Sequence, residues 1–157
     1  MSSVQSRLNA LGITLPDAVA PVANYVPFVI TGNLVVISGQ ISMDNGTLIA
    51  GTLGHDMDVE AGVRAARVCG LNLVAQLHAA CASVDKTLDH VSRVVRLGGF
   101  VASTPDFTDQ PKVINGASDM MVEIFGDAGR HARAAVGVPS LPLGAAVEID
   151  AMVEIAG

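Results

Sequence analysis

Tryptophan is absent from the 157 residues, and the aromatic complement is one Tyr and four Phe. The core must therefore be filled by Ala, Val, Leu and Ile in close packing, and stacking platforms for unpaired bases are poorly supplied. Basic charge is scarce too. Nine Lys and Arg stand against fifteen Asp and Glu, a net of -6, and no basic cluster exists to attract duplex nucleic acid or an anionic membrane. Long apolar runs are missing: Pro27, Gly32, Gln76 and His78 interrupt them well short of the roughly 18 residues a membrane span needs. Met1 to Leu15 carries one Arg and no solid apolar block, so no signal peptide is expected, and the expected compartment is the cytoplasm.

Cysteine is limited to Cys69 and Cys81. Both fall in one helical pattern, too far apart along it to bond each other, and buried free thiols are expected. His55, His78, His90 and His131 are scattered singly, without the short spacings of a metal site, so no metal is expected.

Half of the residues are apolar, enough for one compact domain over residues 1–157 with residues 1–15 as a helical N-terminal extension. Val4, Leu8 and Leu11 share one face of that helix, which Gly12 ends. Pro16 and Pro21 mark a linker. Val26 to Ile30, the turn Thr31-Gly32-Asn33 and Leu34 to Ile37 read as a hairpin, and Asn45-Gly46 as a second tight turn before Thr47 to Ala50. Asp56 or Asp58 caps a long helix with apolar positions Val59, Val63, Ala66, Gly70, Leu73, Leu77 and Ala80; Glu60, Arg64, Arg67 and Gln76 fall mostly on its other side. Val91 to Val101 reads as a strand with a possible bulge at Gly98-Gly99, stopped by Thr104-Pro105-Asp106. A further helix is predicted after Pro111, through Val113 to Phe125, ending at Gly126.

Two more strands follow, Ala132 to Val138 and Ala145 to Ile155. In the last, Val147, Ile149, Ala151, Val153 and Ile155 share one face, while Glu148, Asp150 and Glu154 line the face away from the helices. This order predicts an α+β layer with helices on one face of the sheet. The other face needs cover, and a second subunit is the simplest one.

Four segments carry a resemblance to a known family: Asn24-Tyr25-Val26-Pro27 running into Gly32-Asn33-Leu34-Val35 and Ser38-Gly39-Gln40; Asp106-Phe107 with Asn115; Ala132-Arg133-Ala134-Ala135-Val136; and Leu141-Pro142 leading to Val147-Glu148-Ile149. In this order the chain resembles the YjgF/Rid family of reactive-intermediate (enamine/imine) deaminases and proteins named endoribonuclease L-PSP. The N-terminal helix and the stretch near Gln110 are similar to the larger endoribonuclease/chorismate-mutase-like branch. The resemblance implies a chorismate-mutase-like subunit with a mixed sheet, a homotrimer whose sheets form a central barrel, and clefts between neighbouring subunits.

It also implies roles. Arg133 grips a substrate carboxylate, for which a guanidinium fork is suited; Glu148 positions the attacking water as general base. Tyr25, Ser38, Gly39, Asn115 and the backbone of Ala135 bind substrate. Ala135 stands where many deaminase members have Cys, so any role of that thiol is absent here. The residues alone also allow plainer readings: Arg133 as a strand-edge Arg paired with Glu148 or Asp150, Glu148 as a solvated carboxylate, Tyr25 as packing and Asn115 as a surface amide. Ser38 has no His-Asp relay nearby, so a serine nucleophile is not expected.

The implied activity is hydrolysis of 2-imino or enamine acids to 2-keto acids and ammonia, without a cofactor. The rival expectation is a non-catalytic trimer that binds a small carboxylate. RNA cleavage rests on family names only, and the acidic charge, few aromatics and absence of paired catalytic His argue against it.

Overall fold

The computed structural model describes residues 3–20 and 23–157; Met1, Ser2 and the predicted linker residue Pro21 lie outside them. The order is α1 (Val4–Ala10), β1 (Phe28–Thr31), β2 (Leu34–Ile41), β3 (Met43–Asp44), β4 (Thr47–Leu48), α2 (Val59–Ala82), β5 (Val91–Ala102), α3 (Gln110–Phe125), β6 (Ala132–Val138) and β7 (Val147–Ile155). Five strands form one mixed sheet in the order β1-β2-β7-β5-β6, and β3 and β4 form a separate pair. All neighbours in the main sheet are antiparallel except β5 and β6, which run parallel with α3 as their crossover.

Asp58, not Asp56, caps α2 by accepting from the amide of Ala61. Asp56 instead accepts from the amide of Thr52 and tightens the preceding loop. Helix α3 starts one residue before Pro111, which sits harmlessly in the first turn where its missing N–H has no partner to lose. In α1 only Val4 and Leu8 are buried; Leu11 is the C-cap and faces outward. Gln76 departs from the expected exposed face of α2. It is buried and its Nε2 donates to the carbonyl of Val19 at 2.8 Å, tying the segment after α1 to the helix.

Strand β7 alternates as its sequence does, with Val147, Ile149, Ala151, Val153 and Ile155 all buried. Helices α2 and α3 pack on that face. Among the described residues, no helix packs on the opposite face, where Val29, Val136 and Met152 are exposed. The expected bulge at Gly98-Gly99 is not there: both residues pair in register with Asp150 and Ile149. They are glycine because of what lies above and below. A Cβ on Gly99 would stand 2.7 Å from the side chain of Ile114 in α3, and one on Gly98 would overlap the Asp150 carboxylate on the open face. The β2–β7 ladder slips instead between Ile37 and Gln40, so Ser38 and Gly39 bulge out.

Candidate functional site

The bulge builds the first half of the site. Freed from the ladder, Ser38 turns its amide to the carbonyl of Pro27 (2.9 Å) and its hydroxyl to that of Val26 (2.7 Å), which holds the strap carrying Tyr25. The hydroxyl proton is thus spent on a carbonyl and no base activates this serine. Tyr25, Ser38 and Gly39 line a hollow of about 250 Å³ together with Val19, Asn72 and Leu143. Gly39 is the floor on which Glu148 rests: a Cβ there would lie 2.9 Å from its Oε2.

Glu148 is half-buried, and burial first, the Asp150 charge second, raise its pKa above the usual 4.5. The folded chain therefore holds this proton more tightly than the unfolded chain. That contribution to stability is full below pH 4.5 and is lost as pH rises through the raised pKa. Glu148→Gln should consequently stabilise the protein at neutral pH, by less than about 1 kcal/mol because a half-exposed group is screened by water. Thermal melts at about pH 7 and about pH 4 check this, since the gain should disappear in acid.

The second half lies on the other side of the sheet. Arg133 in β6 is in register with Leu97 of β5 and leans toward α3. Its Nη1 donates to Asn115 Oδ1 (2.8 Å) and Ser118 Oγ (3.0 Å), and its Nη2 to the Pro111 carbonyl (3.3 Å). A guanidinium has five N–H donors. Three are engaged here, which leaves the Nε–H and one Nη2–H, two donors that a carboxylate can accept together. The surrounding hollow, about 260 Å³, is lined by Asn115, Ser118, Asp119, Val122, Arg130, His131 and Arg133, two cations against one carboxylate. Ala135 follows on the same face of β6, partly buried against the core.

The strand-edge pairing open to Arg133 on sequence grounds is therefore not formed. Asp150 pairs with Arg96 at 3.7 Å, and Glu148 faces away from the helices. One chain gathers Tyr25, Ser38 and Gly39 around one hollow with Glu148 lying against Gly39, and separately joins Asn115 with Arg133, but it does not join the two groups. Ser118 and His131 were not singled out in the sequence. The signal was present, since Asn115 and Ser118 are three apart on a helix and His131 and Arg133 two apart entering a strand. Cys69 and Cys81 are both buried and free, and burial raises both thiol pKa values, so neither is poised as a nucleophile. Among the described residues no group of three or more His, Cys, Asp or Glu could hold a metal, and no helix is long and apolar enough to cross a membrane.

Residues 5–155 match the family described as YjgF/chorismate mutase-like, putative endoribonuclease. The chain belongs to the YjgF/Rid family. Its similarity to other members is extensive. Protein TCP17 of Trypanosoma cruzi is 49% identical over 154 residues, 97% of this chain and 94% of that protein. The crystal structure of Atu1372 from Agrobacterium tumefaciens, described as of unknown function, is 50% identical with a TM-score of 0.87, covering 97% of this chain and 92% of that one. RidA from the Antarctic bacterium Psychrobacter is 27% identical with a TM-score of 0.57, covering 88% and 94%. The mixed α+β sheet with helices on one face is thus the YjgF/chorismate-mutase-like fold, as the sequence resemblance implies.

Proposed function

We propose that this YjgF/Rid protein hydrolyses small 2-imino acids, and their enamine tautomers, to 2-keto acids and ammonia. The observation that carries the reading is the state of Arg133: anchored on one side by Asn115 and Ser118, with two donors left for a carboxylate. Glu148 supplies the complementary chemistry. Its carboxylate takes a proton from water as the oxygen attacks the C=N carbon, the imine nitrogen is protonated, and the carbinolamine then expels ammonia as the C=O forms. No cofactor enters these steps.

Because Arg133 and Glu148 occupy opposite faces of one sheet, the cleft is completed by a neighbouring copy, Arg133 from one subunit meeting Glu148, Tyr25, Ser38 and Gly39 of the next. The exposed apolar face with Val29 and Met152 supports such a contact, and a homotrimer is the assembly we infer. The same reading places the protein in the cytoplasm, where pyridoxal-phosphate enzymes and amino-acid oxidases generate imino acids.

The test generates 2-aminoacrylate and other 2-imino acids in situ and follows their capture by semicarbazide with and without the purified protein. Faster imine loss that depends on Glu148 supports deamination. No acceleration, together with thermal stabilisation by a 2-keto acid, would instead indicate a non-catalytic carboxylate binder. Gly39→Ala offers a finer check. The added methyl meets the movable end of Glu148, so the fold should survive while the carboxylate shifts, lowering kcat by about 10- to 100-fold, the scale of a 1 Å misplacement.

A further inference from the structure

Ser118, on the stripe of α3 that faces β6, contacts more than Arg133. Its Oγ also lies 2.8 Å from His131 Nε2, and His131 Nδ1 lies 2.6 Å from the carbonyl of Gly129. The proton directions along this chain follow from its two ends. A carbonyl only accepts, so Nδ1 carries the imidazole proton, and in the neutral ring Nε2 is then an acceptor. The Ser118 hydroxyl must donate to it. That leaves only lone pairs on Ser118 Oγ, which is what a guanidinium, a pure donor, requires.

We propose that Ser118 and His131 are positioning residues for Arg133, forming a one-directional relay from Arg133 through Ser118 and His131 to the Gly129 carbonyl that sets which edge of the guanidinium is presented to the substrate carboxylate. Asn115 holds one hydrogen of Nη1 and the Pro111 carbonyl, at 3.3 Å, one of Nη2. Ser118, at 3.0 Å, holds the second hydrogen of Nη1, so that end of the guanidinium cannot turn about its C–N bond without breaking two hydrogen bonds. Gly129 is itself tightly placed, since a Cβ on it would overlap the backbone of Met121 and Val122, so the far end of the relay is rigid. The inference rests on Arg133 being the carboxylate grip.

The relay has a readout that needs no substrate. Rotation about the Arg133 guanidinium C–N bonds, followed by NMR on the unliganded protein, should be slow in the parent and at least about tenfold faster in Ser118→Ala and His131→Phe, with Ser118→Thr restoring the slow rate. The His131 nitrogen shifts of the parent should report the Nδ1–H tautomer. In the imine assay Ser118→Ala should raise KM about tenfold with kcat close to the parent, since the carboxylate is held alike in ground and transition states. Unchanged rotation in both Ser118→Ala and His131→Phe, or an Nε2–H tautomer, overturns the relay. Faster rotation in a protein that turns over no imine upholds the relay and removes the deaminase reading alone.

Discussion

Replacing Arg133 with alanine should lower kcat/KM for 2-imino acids by about 10²- to 10⁴-fold. Two charge-assisted hydrogen bonds to a carboxylate are worth roughly 1.5 to 3 kcal/mol each, and every 1.36 kcal/mol is about tenfold in rate. The loss should appear chiefly in KM. Lysine should recover little of it, because a single ammonium neither reproduces the fork nor reaches Asn115 and Ser118 in the same geometry. The fold should be largely indifferent: Asn115 is exposed, and Ser118 keeps His131 as a partner. Steady-state kinetics of the two variants against a parent with the same melting temperature checks this. A kcat/KM within about twofold of the parent would remove Arg133 from substrate binding.

A large stability effect is expected far from that hollow, where α2 crosses α3. A methyl on Gly116 would overlap the carbonyl oxygen of Val63. The carbonyl belongs to the α2 backbone and the methyl would be rigidly fixed to that of α3, so relief requires the helices to move apart and the contacts of Ile114, Ala117 and Met120 to loosen with them. Gly116→Ala should cost about 3 kcal/mol, or a fall of about 6 to 12 °C in Tm for a chain of this size. Gly70 is the discriminating control on the same crossing. Its added methyl would meet the end of the Met120 side chain at 2.7 Å, and a flexible thioether can yield. Gly70→Ala should therefore cost less than about 1 kcal/mol, part of the strain being offset by the better helix propensity of alanine.

These two glycines mark the boundary of what the sequence alone discloses. Periodicity and capping are local, so the alternation of β7, a cap at Asp56 or Asp58 and the two main helices were legible, and the structure decides the cap for Asp58. The meaning of Gly98-Gly99 was not, because it depends on Ile114 above and Asp150 below, neither of which is near in sequence. Gln76 misled for the same reason, its polar end being satisfied by the carbonyl of Val19. At the candidate site, Arg133, Glu148, Tyr25, Ser38, Gly39 and Asn115 are nominated by resemblance alone. Nothing in their spacing shows that the β2 bulge carries Ser38 and Gly39 to Glu148, or that Arg133 turns the opposite way. That separation follows from register, since Arg133 stands beside Leu97 and Glu148 beside Phe100, and positions three apart on β5 point to opposite faces.

The place of β7 has a consequence for synthesis on the ribosome. It is the latest strand in the chain, yet it sits between β2 and β5. Until residue 155 has cleared the exit tunnel, the β1–β2 hairpin and the β5–β6 pair have no shared seam. The apolar faces that α2 and α3 will cover are then only partly assembled. The nascent chain must therefore keep two unfinished sheet edges from pairing with neighbours on the same message. Closure of the sheet therefore waits on the emergence of this nine-residue strand.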